Sequence, residues 1–238
     1  MPLNTITFTL NNQCSNQIIW PAIQGSLEVN GNTINDPIPA GLALEPFKSF
    51  TTSPFPVPWS GRIWARQHCK GDGTNCRLGD CGASSCWGKS TKAVTLFEVT
   101  AEPDKLWYNL SLVDGYTMGI SVVPDKKGCK GLTCDVPPFL GGHGLSNTLC
   151  PATNLKLSNP DEPFKSLDQV DGCLSDCSLY GTDEYCCQNS WNDPKKCPAS
   201  STWFKEACPD AYSYPYDDTA LNSCELSDVT IVFSCKKK

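Results

Sequence analysis

Histidine is almost absent: His68 and His143 are the only two in 238 residues. Neither sits in a motif that would present a Ser or Cys nucleophile, which counts against histidine-based catalysis. Charge is also sparse, at 18% of residues, and Asp and Glu outnumber Lys and Arg by 25 to 19. A formal net charge of -6 argues against nucleic acid, whose recognition needs a basic face, so no such partner is expected. The basic tail Lys236, Lys237, Lys238 reads as a solvated terminus. No apolar run approaches the length of a membrane span. Met1 leads directly into strand-like sequence, so an export leader is not expected within these residues.

Cysteine, by contrast, is abundant, with 16 residues. Cytosolic thiols stay reduced, so this count points to an oxidising compartment and to disulfides. Zinc sites favour short paired spacings and histidines, and the chain has no C-x-x-C. The expectation is therefore eight disulfides, no metal and no cofactor, in a mature form whose export signal has been removed.

The remaining pattern is that of short strands. Thr5-Ile6-Thr7-Phe8-Thr9-Leu10 alternates with period two, as do Val229, Ile231 and Phe233 near the other end. Ile18, Ile19 and Trp20 form a strand stopped by Pro21, and Ile63, Trp64 and Ala65 form another. Residues 94–99, 106–112 and 118–123 read likewise, with Asp114-Gly115 as a turn. Such spacing predicts a sandwich or barrel. Cys14 follows the first strand and Cys235 the last; if those strands are neighbours, one bridge ties both termini to the sheet. Two stretches break the pattern. Residues 68–87 hold four cysteines among Gly, Asp and Asn, a small stapled loop or hairpin. Residues 134–208 hold eight, with short helices expected at 167–180, placing Cys173 and Cys177 on one face, and at 200–207, capped by Ser200 or Ser201. Asn109-Leu110-Ser111, the sole N-glycosylation sequon, falls inside a strand, which disfavours modification.

The cysteine-bearing motifs resemble those of thaumatin-like proteins. Asn11-Asn12-Gln13-Cys14 with Ile19-Trp20-Pro21-Ala22 is similar to the family's opening, and Gly61-Arg62-Ile63-Trp64-Ala65-Arg66 to its next segment. Gly79-Asp80-Cys81-Gly82, Thr95-Leu96-Phe97-Glu98-Val99 and Leu112-Val113-Asp114-Gly115-Tyr116 match further signatures. Glu184-Tyr185-Cys186-Cys187 and the run from Cys208 to Tyr214 complete a match that spans the chain. The resemblance implies a mainly β, flattened sandwich with two disulfide-rich loop domains. The sandwich would take about 1–66, 93–133 and 209–238, the small loop domain 67–92 and the larger one 134–208. It also implies the pairing Cys14–Cys235, Cys69–Cys76, Cys81–Cys86, Cys129–Cys224, Cys134–Cys208, Cys150–Cys173, Cys177–Cys186 and Cys187–Cys197. Sequence alone would leave about two million pairings open.

Antifungal members carry an acidic cleft lined by an Arg, a Glu and three Asp. Carried over, these positions are Arg62, Glu98, Asn109, Asp114 and Asp217, with Asp218 beside the last. Asn109 departs from the acidic pattern. Carboxylates accept hydrogen bonds from sugar hydroxyls, and aromatic rings stack on sugar faces. Hydrolysis demands more, a protonated acid opposite a carboxylate. Glu98 and Asp114 are the candidate catalytic pair. Each residue also has a plainer role open to it: Glu98 paired with Arg62, Asp114 as turn chemistry, the Tyr212–Tyr216 aromatics as packing. The resemblance implies a secreted, extracellular or vacuolar protein that defends against fungi, and with nothing in the sequence to indicate oligomerisation a monomer is expected. Its expected partners are β-1,3-glucan of the fungal cell wall and the fungal membrane surface. A weak endo-β-1,3-glucanase is the alternative.

Overall fold

The computed structural model describes residues 5–92, 94–135, 150–159, 161 and 169–235. His143, the lysine tail and Met1 lie outside them, as does part of the helix expected at 167–180. Eleven strands build two facing sheets: β1 (Phe8–Asn12), β2 (Ile19–Gly25), β3 (Ser49–Thr51), β4 (Trp59–Gln67), β5 (Leu96–Ala101), β6 (Lys105–Ser111), β7 (Gly119–Pro124), β8 (Leu132–Cys134), β9 (Ala211–Tyr212), β10 (Asn222–Glu225) and β11 (Val229–Ser234). One sheet runs β9-β6-β5-β4-β2, with β10 also paired to β6. The other runs β8-β7-β11-β1-β3. The first and last strands are parallel neighbours, Val229 opposite Phe8, and Cys14–Cys235 closes the seam beside them.

Alternation decides which face each residue takes. Phe8 and Leu10 of β1, Ile120 and Val122 of β7, and Ile231 and Phe233 of β11 turn inward against Ile63, Phe97, Val99, Leu106, Tyr108 and Leu110. Phe8, Phe55, Trp59 and Phe97 form an aromatic centre, with Phe55 and Trp59 edge to face at 4.9 Å. Burying side chains of this size stabilises by about 2 kcal/mol each. Asn12 is fully buried because its amide is fully used. It donates to the carbonyls of Gln17 and Leu44, while its oxygen accepts from the Cys14 N–H at 2.9 Å.

The outer face of the first sheet is half covered. Trp64 donates to the Gly79 carbonyl at 2.9 Å. Gly79 has φ +70, and a Cβ there would press on the Trp64 ring at 3.0 Å. Arg66, 2% exposed, donates to the carbonyls of Gly73, Ala83 and Ser84. Those bonds, with Cys69–Cys76 and Cys81–Cys86, hold the loop of residues 68–87 over one end of the sheet. All eight disulfides join the pairs that the family resemblance implies.

Three local expectations are corrected. Pro21 does not stop its strand: β2 runs on to Gly25. It is the sheet's edge strand, paired along its length with β4 and on its other side bridged at Ile19 to Leu44, so the missing N–H breaks no interior ladder. Most of the described part of 167–180 is not helical. Val170–Cys173 is a strand paired with Leu155–Leu157, and only Asp176–Tyr180 forms a helix, α1. Ser175 begins it, its side chain accepting the Ser178 N–H, so Cys173 lies ahead of the helix rather than on its face. Two further short helices follow, α2 (Asp183–Cys186) and α3 (Thr202–Ala207). Ser201 does occupy the start of α3, but at φ +52 and without a side-chain cap. Its hydroxyl instead accepts from the Asp176 N–H at 2.8 Å, joining α3 to α1.

Candidate functional site

The open half of the first sheet's outer face carries the candidate residues. Register places Gln24 opposite Arg62, Arg62 opposite Glu98 and Glu98 opposite Asn109. Adjacent strands lie about 4.8 Å apart, so four strands present one continuous polar row. Two residues along, Ser60, Thr100, Trp107 and Ser223 form a second row. The chain folds this way because the inward positions of β4, β5 and β6 are apolar, which forces these alternate residues outward.

Within the polar row, Arg62 donates Nε–H to Gln24 Oε1 at 2.6 Å. Among the described residues it makes no ion pair with Glu98. Asn109 donates its amide to Glu98 Oε2 at 3.0 Å. Asn109 is buried and committed to that bond, so the sequon's side chain does not project from a loop. A depression of about 440 Å³ is lined by Gln24, Gly25, Ser26, Ser60, Gly61, Arg62 and Glu98. Another, of about 170 Å³, shares Ser60, Gly61 and Glu98 and continues to Thr100, Trp107, Asn109 and Leu221. Glu98 thus stands between two surface hollows.

Asp114 sits at the rim, in the turn after β6. Gly115 at φ +124 allows that turn, and a Cβ there would strike the Cys173 carbonyl at 2.7 Å. The Ser178 hydroxyl of α1 donates to the Asp114 carbonyl at 2.6 Å, so the larger disulfide-rich region borders the site here. Burial pushes the Asp114 carboxyl above its ordinary range, against the opposing pull of Arg62 and Lys92. Asp217 is differently placed. Its oxygens accept from Lys205 at 2.8 Å, Thr219 at 2.8 Å and both the Ser213 N–H and hydroxyl at 3.1 Å. At 6% exposure, it braces α3 against the C-terminal segment. Burial alone would raise its carboxyl, but the bonds from Lys205, Thr219 and Ser213 outweigh burial and hold it below the ordinary range. Asp218 is exposed and accepts the Tyr212 hydroxyl at 3.4 Å. Tyr212 is pushed up to about 12 by burial first, then by Asp218, Asp217 and Glu98. It is a packed link between the two groups of acids rather than a stacking surface.

Gln24, Ser60, Thr100 and Trp107 were not singled out by motif. Their signal was available in alternation, since each shares a strand face with a residue that was.

These features define a disulfide-stapled β-sandwich whose outer sheet face carries a polar, partly acidic row between two hollows. The chain belongs to the thaumatin family, whose model matches residues 12–235. It is 36% identical over 236 residues to pathogenesis-related protein 5 of Arabidopsis thaliana, covering 95% of this chain and 89% of the relative. It is 36% identical over 235 residues to pathogenesis-related thaumatin-like protein 3.5 of Cryptomeria japonica, covering 95% and 88%. A Prunus avium relative named glucan endo-1,3-beta-glucosidase is 34% identical over 229 residues, covering 89% and 82%.

Proposed function

We propose that this chain is a secreted defence protein that binds β-1,3-glucan of the fungal cell wall along the Arg62–Glu98–Asn109 row. The single observation supporting it most is the position of Glu98, shared by the two hollows and flanked in register by one cation and one amide. Sugar hydroxyls both donate and accept. A row offering guanidinium N–H, carboxylate and amide groups can meet both needs. The name of the Prunus avium relative supplies the substrate class. Eight disulfides suit an extracellular or vacuolar setting. Contact with the fungal membrane surface is a further part of the reading, and the monomer is its working unit.

A second reading, weak endo-β-1,3-glucanase activity by Glu98 and Asp114, is favoured by one observation. The Asp114 carboxyl is held up by burial, as a general acid requires. The set as a whole favours binding over hydrolysis. Asn109 brings an amide to Glu98 where the family pattern has an Asp, and Asp217 is occupied by its own chain.

Affinity electrophoresis through gels cast with β-1,3-glucan or with β-1,4-glucan tests the reading. Retardation is expected only in the β-1,3-glucan gel and is expected to fall at least fivefold for Glu98→Gln. Equal mobility of wild type in both gels refutes it. Reducing-end release by wild type but not by Glu98→Gln would establish the enzymatic reading instead.

A further inference from the structure

We infer that Trp107, with Thr100, Ser60 and Leu221, forms a second saccharide subsite beside Glu98, so that the ligand is the interior of a glucan chain and not its end. The inference rests on the glucan-binding reading and adds a residue and a direction to it.

The hollow of about 170 Å³ is lined by the two kinds of surface a sugar ring needs. One side is polar: the Ser60 and Thr100 hydroxyls lie 2.9 Å apart, and Glu98 and Asn109 border them. The other is apolar, made by the Trp107 indole and by Leu221, which is 45% exposed. A pyranose has axial C–H groups on its faces and hydroxyls around its edge, so it matches one apolar and one polar wall. Trp107 is also held in place. Lys105 Nζ lies 3.8 Å from its ring centroid, and its indole N–H donates to Glu102 Oε2 at 3.3 Å. A ring fixed from one side loses little freedom when a ligand meets the remaining surface.

Direction follows from register. Trp107 stands opposite Thr100, and Thr100 opposite Ser60. This row runs across the strands beside the Gln24–Arg62–Glu98–Asn109 row. The second hollow, on the Gln24 and Arg62 side, shares Ser60, Gly61 and Glu98 with the first. An oligosaccharide filling both passes over Glu98 with units on either side.

The test is calorimetric titration with β-1,3-linked glucose oligomers of two to six units. Wild type is expected to gain affinity with length until both hollows are filled. Trp107→Ala is expected to lose about tenfold on the hexamer, and Trp107→Phe to stay within about threefold. The dimer is expected to be much less affected. The indole N–H resonance of Trp107 in unmodified protein, identified by its absence from Trp107→Phe, is expected to shift on adding hexamer. If the hexamer binds wild type while Trp107→Ala binds equally well and the indole signal stays still, the subsite is refuted and the glucan reading survives. If no oligomer and no glucan polymer binds wild type, the reading beneath it fails as well.

Discussion

Asn109→Asp is the most informative single change, because it exchanges a donor for an acceptor at 3.0 Å from a carboxylate. The lost bond is charge-assisted and contributes about 1.5–3 kcal/mol. Two carboxylates at roughly 4 Å would add as much as ~4 kcal/mol of repulsion at an effective dielectric of 20, less here because Glu98 is half-exposed. Protonation of one of the two acids relieves the repulsion at low pH, and once both are ionised near neutral pH the deficit is about 2 kcal/mol. A carboxyl raised in the folded state contributes stability at low pH that is lost as pH rises. The variant should therefore approach wild type below about pH 4 and show its full deficit toward neutral pH. Urea unfolding followed by tryptophan fluorescence, with disulfides intact, measures this between pH 3.5 and 7.5. A deficit that does not change with pH, or no deficit, would refute the contact between Asn109 and Glu98 as described. The same variant recreates the acidic pattern of the family, so its reducing-end release from soluble glucan is expected to exceed that of wild type.

Other substitutions separate binding from scaffolding. Asp217→Asn should destabilise by about 2–4 kcal/mol at neutral pH, because it removes the carboxylate paired with the Lys205 ammonium and leaves only the Pro209 and Ala211 carbonyls to accept from it. The Asp217 carboxyl is held low, so the difference should shrink as pH falls through and below 4. Asp114→Asn should act in the opposite sense. Burial raises that carboxyl, so the variant should melt higher than wild type at pH 7, with the gain disappearing toward pH 4. Arg66→Met should cost about 3 kcal/mol by orphaning the carbonyls of Gly73, Ala83 and Ser84. It should open residues 68–87 to limited proteolysis while leaving the Arg62–Glu98 row intact.

Much of the fold was legible because alternation and cysteine spacing act over short distances. Phe8, Leu10, Ile231 and Phe233 declare their inward faces directly. The parallel pairing of the first and last strands was foreshadowed by Cys14 and Cys235, which follow them. Failures came where neighbours override local preference. Pro21 is tolerated because β2 is an edge, and edges are not marked in sequence. Val170–Cys173 becomes a strand because Leu155–Leu157 is there to pair with it. At the site, motif matching brought Arg62, Glu98 and Asn109 to one row but could not show that Asp217 is consumed by Lys205. It also passed over Trp107 and Thr100, which belong to no signature and enter the site only through cross-strand register.

The most direct test of glucan binding at this row is a nitrogen-15 chemical-shift titration with a β-1,3-linked glucose hexamer. The account predicts saturable shifts at the Arg62 Nε–H, the Asn109 side-chain amide and the backbone amides of 60–62 and 98–100, all weakened in Glu98→Gln. Shifts confined to another surface, or none at millimolar ligand, would contradict it.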